Sequence, residues 1–195
     1  IRDYIEQVII EAEQLNKAIL YQAEKHTESI MPAHTHTQPA QPTTFGHYLV
    51  AIYDNLDRDI QRLKQAYATV NKSPMGAAAI TTTGFPINRE RMVELLEFDG
   101  LIENSYDAIG TGDYLIEAAQ ALVSLMTNMG RWLQELLRMA SKEVGLIKVS
   151  NAYVQISSIM PQKRNPVSIE HSRAIASSAA AEGLAVVHMI HNTPF

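Results

Sequence analysis

The segment Ile156 to Pro166 reads Ile-Ser-Ser-Ile-Met-Pro-Gln-Lys-Arg-Asn-Pro and concentrates more chemistry than any other part of the chain. Ser157 and Ser158 offer hydroxyls that can accept a proton or act as nucleophiles. Lys163 supplies positive charge, and Asn165 a neutral hydrogen-bond donor. Pro161 and Pro166 exclude continuous helix across the segment. In extended chain, residues two apart point the same way, so Lys163 and Asn165 can address one anionic group together. Such a cluster suits a reaction that builds negative charge beside a carboxylate. A serine hydroxyl is a poor base at neutral pH. Nearby positive charge and backbone N–H groups are what stabilise its deprotonated form.

A second polar stretch, Met31 to Pro42, reads Met-Pro-Ala-His-Thr-His-Thr-Gln-Pro-Ala-Gln-Pro. His34 and His36 form a His-x-His pair that could bind a metal. The chain has no cysteine, and no acidic residue stands nearby to complete such a site, so no metal is expected. His34 reads as an exposed loop histidine. Asn71, His47 and Arg89 read as ordinary structural residues.

The 156–166 segment resembles the Gly-Ser-Ser-x-Met-Pro-x-Lys-x-Asn signature of the fumarase/aspartase superfamily, and its Gln-Lys-Arg-Asn-Pro ending is similar to that of the argininosuccinate lyases. Met31–Pro42 resembles that family's Thr-His-x-Gln-x-Ala-Gln-Pro block. Ser73-Pro74-Met75-Gly76, Phe85-Pro86-Ile87-Asn88-Arg89-Glu90 and Glu103-Asn104-Ser105-Tyr106-Asp107-Ala108 also look like family segments, in the family's order. The resemblance implies elimination across a C–N bond of a succinyl-amine, giving fumarate and an amine, with no cofactor. By that resemblance Ser157 is the base that removes the proton next to a carboxylate. Lys163 and Asn165 hold the resulting dianion. His36 assists proton transfer to the leaving nitrogen, paired with Glu170. Thr35, Gln38, Ser158 and Met160 contact the substrate. Two positions depart from the family: Ile156 replaces the leading Gly of the signature, and Gly112 stands where argininosuccinate lyases carry an Arg. The second departure keeps other superfamily substrates open (adenylosuccinate, aspartate or a carboxymuconate), and a catalytically silent structural homologue is the remaining alternative.

The elements that must position these residues are helical. Apolar residues at helical spacing predict helices over about Arg2–Ser29, Thr43–Val70, Arg89–Glu97 and Ser105–Ser141. A last one starts at Asn165-Pro166, where Asn165 is also the expected N-cap. Both roles of Asn165 coexist if the cap uses its oxygen and the ligand its nitrogen. Residues 31–42 and 71–87 read as loop, and 144–156 as extended or irregular chain. The fold expected is all-α, an elongated bundle of long helices like the superfamily's central domain, with 1–195 as one helical domain. Apolar residues spread nearly all round the chain between Leu115 and Met129, so this helix is buried on more than one side. At roughly 35 residues and 1.5 Å each it would be about 50 Å long. The expectation is therefore cover by other subunits in a homo-oligomer, a tetramer by the resemblance, rather than a single-chain bundle. Both ends read as cut, as in a fragment of a longer lyase that is inactive on its own.

Composition narrows the rest. A net charge of −5 with no long Lys/Arg block argues against a nucleic-acid surface. No apolar run approaches the roughly 18 residues of a membrane span. The absence of cysteine fits a reducing cytoplasm.

Overall fold

A computed structural model describes residues 1–195. Four long helices form the body. The first, α1 (Arg2–Lys25), buries Ile5, Ala12 and Ala23 along one stripe. A β-hairpin follows, β1 (Ile30–Thr35) and β2 (Gln38–Thr44). It leads into α2 (Phe45–Val70), whose buried Leu49, Ile52, Leu56, Ile60, Leu63 and Val70 recur every three or four residues. Thr44 caps α2 by accepting from the His47 amide at 3.1 Å. Two short helices, α3 (Arg89–Leu95) and α4 (Ser105–Gly110), lie in the next connection. Then come α5 (Asp113–Met139), a two-residue ribbon of β3 (Gln155–Ile156) and β4 (Arg164–Asn165), and α6 (Val167–Ile190). None of these helices is long and apolar enough to cross a membrane.

Packing fixes the directions. Ile5 meets Val70 and Ala118 at one end, while Ala23 meets Leu49, Ile52 and Trp132 at the other. So α2 runs antiparallel to α1, and α5 antiparallel to α2. Between them Ala12, Leu56, Ile60, Leu63, Ala66, Ala121 and Leu125 make the main core. A carboxylate sits inside it: Asp59 is 1% exposed and is held by Arg62 at 2.7 Å and Asn128 at 2.9 Å. A buried charge persists only with such partners. On the other side of α5 lies α6, antiparallel. A Cβ on Gly183 would stand 2.6 Å from Val123 Cγ2, so the missing side chain sets how closely these helices approach.

The alternating directions place both chemistry-bearing connections at one end of the body: the α1–α2 hairpin and the α5–α6 segment. The long α2–α5 connection occupies the opposite end. Arg89 fastens that far connection by donating to the carbonyls of Met75, Ile102 and Glu103.

Four expectations need correction. Residues 31–42 are a hairpin, not loop: proline forbids helix but is tolerated in a two-stranded ribbon, where both strands are edges. The first helix ends at Lys25, because His26 and Ser29 close a turn through their side chains and backbone. The 105–141 helix is two helices. Thr111 is extended (ψ 143), and its hydroxyl bonds Asp113, so the chain restarts at Gly112. The long part is therefore 27 residues, about 40 Å. Finally, α6 begins after Pro166 without a side-chain cap. Asn165 instead pairs with Gln155 in the β3–β4 ribbon.

Candidate active site

The signature segment folds as a hairpin. Gln155 pairs with Asn165 and Ile156 with Arg164, so residues 157–163 form the connecting loop. Ser157 opens it. Its Oγ accepts from the amides of Ile159 at 3.3 Å and Met160 at 3.2 Å. These donors lie where they stabilise negative charge on the oxygen. The Lys163 amide donates to the Met160 carbonyl at 2.9 Å and closes the loop. Ser158 and Met160 are exposed, while Ser157 and Asn165 are half-buried.

Beside the hairpin base runs a cleft of about 600 Å³ lined by Lys142, Lys148, Lys163, Arg164 and Asn165 over an apolar floor, with no acidic residue in its lining. Arg164 is already engaged, donating to Asn151 Oδ1 and to the Val149 carbonyl. Lys142, Lys148 and Lys163 have no ion-pair partner. In a chain of net charge −5 this is a locally positive site suited to a carboxylate. Lys142 and Lys148 did not stand out in the sequence, since isolated lysines in an irregular stretch carry no pattern.

The second group sits on the α1–α2 hairpin. His36 and Thr37 form its two-residue turn, both with left-handed backbone (φ 51 and 64). Thr35 and Gln38 flank them as a pair. All four are exposed. His34, half-buried, faces a cavity of about 400 Å³ between hairpin and helices, which it lines with His47, Tyr48, Glu135 and Arg138. Burial, followed by the charge of Glu135, pushes the Tyr48 phenol up to about 12.

The structure brings Ser157, Lys163 and Asn165 into one hairpin, and Thr35, His36 and Gln38 into another at the same end. It does not join the two groups. Glu170 is exposed in the first turn of α6, and no hydrogen bond or ion pair links it to His36 within the chain. Neither main cavity at these hairpins is lined by residues of both groups.

Comparison with known proteins fits this arrangement. The sequence matches the family described as Lyase over residues 1–180. It is 48% identical to argininosuccinate lyase 2 of Agrobacterium fabrum over 195 residues, covering all of this chain and 39% of that protein. Identity to argininosuccinate lyase of Methanosarcina barkeri is 43% over 194 residues, again covering all of this chain and 40% of the relative. The chain thus spans about two fifths of the length of these relatives. Among solved structures, EDDS lyase in complex with formate superposes with a TM-score of 0.94 at 33% identity, over 98% of this chain and 39% of that one. A class II fumarase from Schistosoma mansoni shares the fold, with a TM-score of 0.76 at 17% identity over 91% of this chain and 42% of its own.

Proposed function

The chain belongs to this lyase family, within the fumarase/aspartase superfamily, and from that premise we propose that it is the central helical domain of an argininosuccinate lyase-type enzyme. The reaction is elimination across the C–N bond of a succinyl-amine. Ser157, as its alkoxide, takes the proton from the carbon next to the substrate carboxylate. The electron pair moves into that carboxylate as an aci-carboxylate dianion, which Lys163 Nζ and Asn165 Nδ2 stabilise as it forms. The pair then collapses into the new C=C bond while the C–N bond breaks. His36 passes a proton to the leaving nitrogen, with Glu170 holding its imidazolium. Thr35, Gln38, Ser158 and Met160 contact the substrate. Fumarate and an amine leave, arginine if the substrate is argininosuccinate, which places the enzyme in arginine biosynthesis.

The observation that carries this reading is the pair of amides aimed at Ser157 Oγ in a loop that also bears Lys163 and Asn165. Separation of this group from His36 and Glu170 within one chain supports completion of the site by a second copy. We assign a homotetramer. The apolar helix α6 leaves Ile175, Leu184 and Met189 exposed at 67%, 51% and 78%, on more than one side of the helix, where neighbouring copies would cover them. The cysteine-free composition supports a cytoplasmic location.

A second reading changes only the amine. Gly112 offers no guanidinium, and it starts α5 at the end opposite both hairpins, so it meets the substrate only where a second copy brings that end to the site. In that case the missing guanidinium favours a succinyl-amine other than argininosuccinate. The test is fumarate release by the purified full-length enzyme from a panel of succinyl-amines. Turnover of argininosuccinate above the others supports the first reading, and preference for another amine the second. No fumarate from any member overturns both.

A further inference from the structure

We propose that Arg138, braced by Glu135, is a positioning residue that orients His36. The proposal rests on the reading of His36 as the group that meets the leaving nitrogen. His36 and Thr37 occupy left-handed backbone that side-chain-bearing residues rarely adopt, and Thr37, branched at Cβ, fits it worst. A turn of this kind persists when its surroundings hold it.

The hairpin itself gives little hold near the tip. Pro32 faces Pro42, His34 faces Pro39, and the register slips between Pro32 and His34. Prolines lack the N–H that a ladder needs. Packing gives little more, because a cavity of about 400 Å³ lies between this part of the hairpin and the helices. A single hydrogen bond ties residues 34–39 to the helical body: Arg138 Nη1 donates to the Thr37 carbonyl at 3.3 Å.

That donor is itself fixed. Glu135, one turn earlier on α5, accepts from Arg138 Nε at 3.3 Å through either oxygen and from Nη2 at 3.2 Å. The two side chains are only 25% and 35% exposed. A planar guanidinium suits the task, since one edge grips the carboxylate while the remaining nitrogen reaches the carbonyl. The Thr37 carbonyl belongs to the residue after His36. Holding it fixes the plane of the turn, and with it the direction in which the His36 side chain leaves the backbone. Arg138 therefore acts on the chemistry through His36 and touches no reacting atom.

The test is a double-mutant cycle in the full-length enzyme, read as single-turnover rate and KM. His36→Ala comes first. If it leaves the rate unchanged, the functional reading of His36 falls, and this proposal with it. If His36→Ala slows the reaction, Arg138→Ala in the native background should lower the rate about ten- to a hundredfold with little change in KM, the scale of a misplaced catalytic group. The same substitution in the His36→Ala background should cost nothing further. Arg138→Lys should restore part of the rate, because an ammonium reaches Glu135 or Thr37 but does not bridge both as the fork does. Glu135→Gln, which keeps an acceptor but loses the charge, should show a smaller loss of the same kind and serves if Arg138→Ala does not fold. An equal loss in both backgrounds, or a normal rate for Arg138→Ala beside a crippled His36→Ala, overturns the proposal.

Discussion

Replacing Ser157 with alanine in the full-length enzyme removes two things at once, and the structure lets their sizes be separated. One is the turn clamp: Oγ accepts from the amides of Ile159 and Met160. Each such bond contributes about 0.5–1.5 kcal/mol in general. Here the loop is open, with Ile159 87% exposed, so water takes over from the lost acceptor. The clamp alone is then worth roughly one decade in rate or less, at 1.36 kcal/mol per decade. The other is the base we propose, whose loss would cost about two to four decades. A fall beyond about a hundredfold therefore reports chemistry rather than loop geometry. Ser158→Ala is the comparison and should cost less: Ser158 is exposed and its hydroxyl makes no hydrogen bond in the chain, so the change removes a proposed substrate contact but neither clamp nor base. The assay is single-turnover fumarate formation, so that slow product release does not hide the chemical step. Sedimentation should show unchanged assembly. A collapse of Ser158→Ala beside a near-normal Ser157→Ala would move the base by one residue. Near-normal rates for both would refute the mechanism.

Three further outcomes follow from packing and charge. Gly46→Ala should destabilise the fold by about 1–3 kcal/mol in urea denaturation, since its Cβ would lie 2.6 Å from the Ala23 carbonyl oxygen and 2.9 Å from that of His26; an unchanged midpoint would mean this junction relaxes freely. The Tyr48 phenol, raised from 10 to about 12 by burial and Glu135, binds its proton more tightly folded than unfolded. Its contribution to stability is complete below about pH 10 and is lost as the pH climbs towards about 12; Tyr48→Phe should flatten the stability profile in that window, and identical profiles would contradict it. Leu184→Glu should split the full-length assembly without unfolding α6, because Leu184 is half exposed in one chain; an unchanged assembly by sedimentation would place the interface elsewhere.

The sequence was most legible where one signal dominated. The α2 helix came out within two residues of its predicted ends, because a Thr cap precedes a long apolar stripe that continues unbroken to Val70. The break at Thr111–Gly112 was missed for the opposite reason. Apolar periodicity runs straight through Ile109, Leu115 and Ile116, while the break depends on one threonine hydroxyl finding Asp113. The 30–44 hairpin was hidden because its prolines erase the alternation by which strands are recognised. Its anchors are the burial of Met31 and the amides of Phe45 and Gly46 bonding Ser29 and His26, none of which shows as a pattern in the sequence.

The site divides along the same line. Ser157, Lys163 and Asn165 were readable together because a hairpin joins them within nine residues, so their relation is local. The placement of His36 depends on Arg138, 101 positions from the carbonyl it holds, and nothing in the order of residues announces that bond. What the sequence does contain is its precondition: Glu135 and Arg138, three apart, form an ion pair near the end of a largely apolar helix. On an exposed face such a pair contributes little. At the half-buried end of α5 it also serves the left-handed turn, whose Thr37 carbonyl it reaches. By the same reasoning, Lys142, Lys148 and Lys163 around one acid-free cleft are three charges that repel one another until an anion arrives. The chain thus gathers three unpaired lysines beside the signature hairpin. At the other end of the bundle, Arg89 has all three of its bonds made.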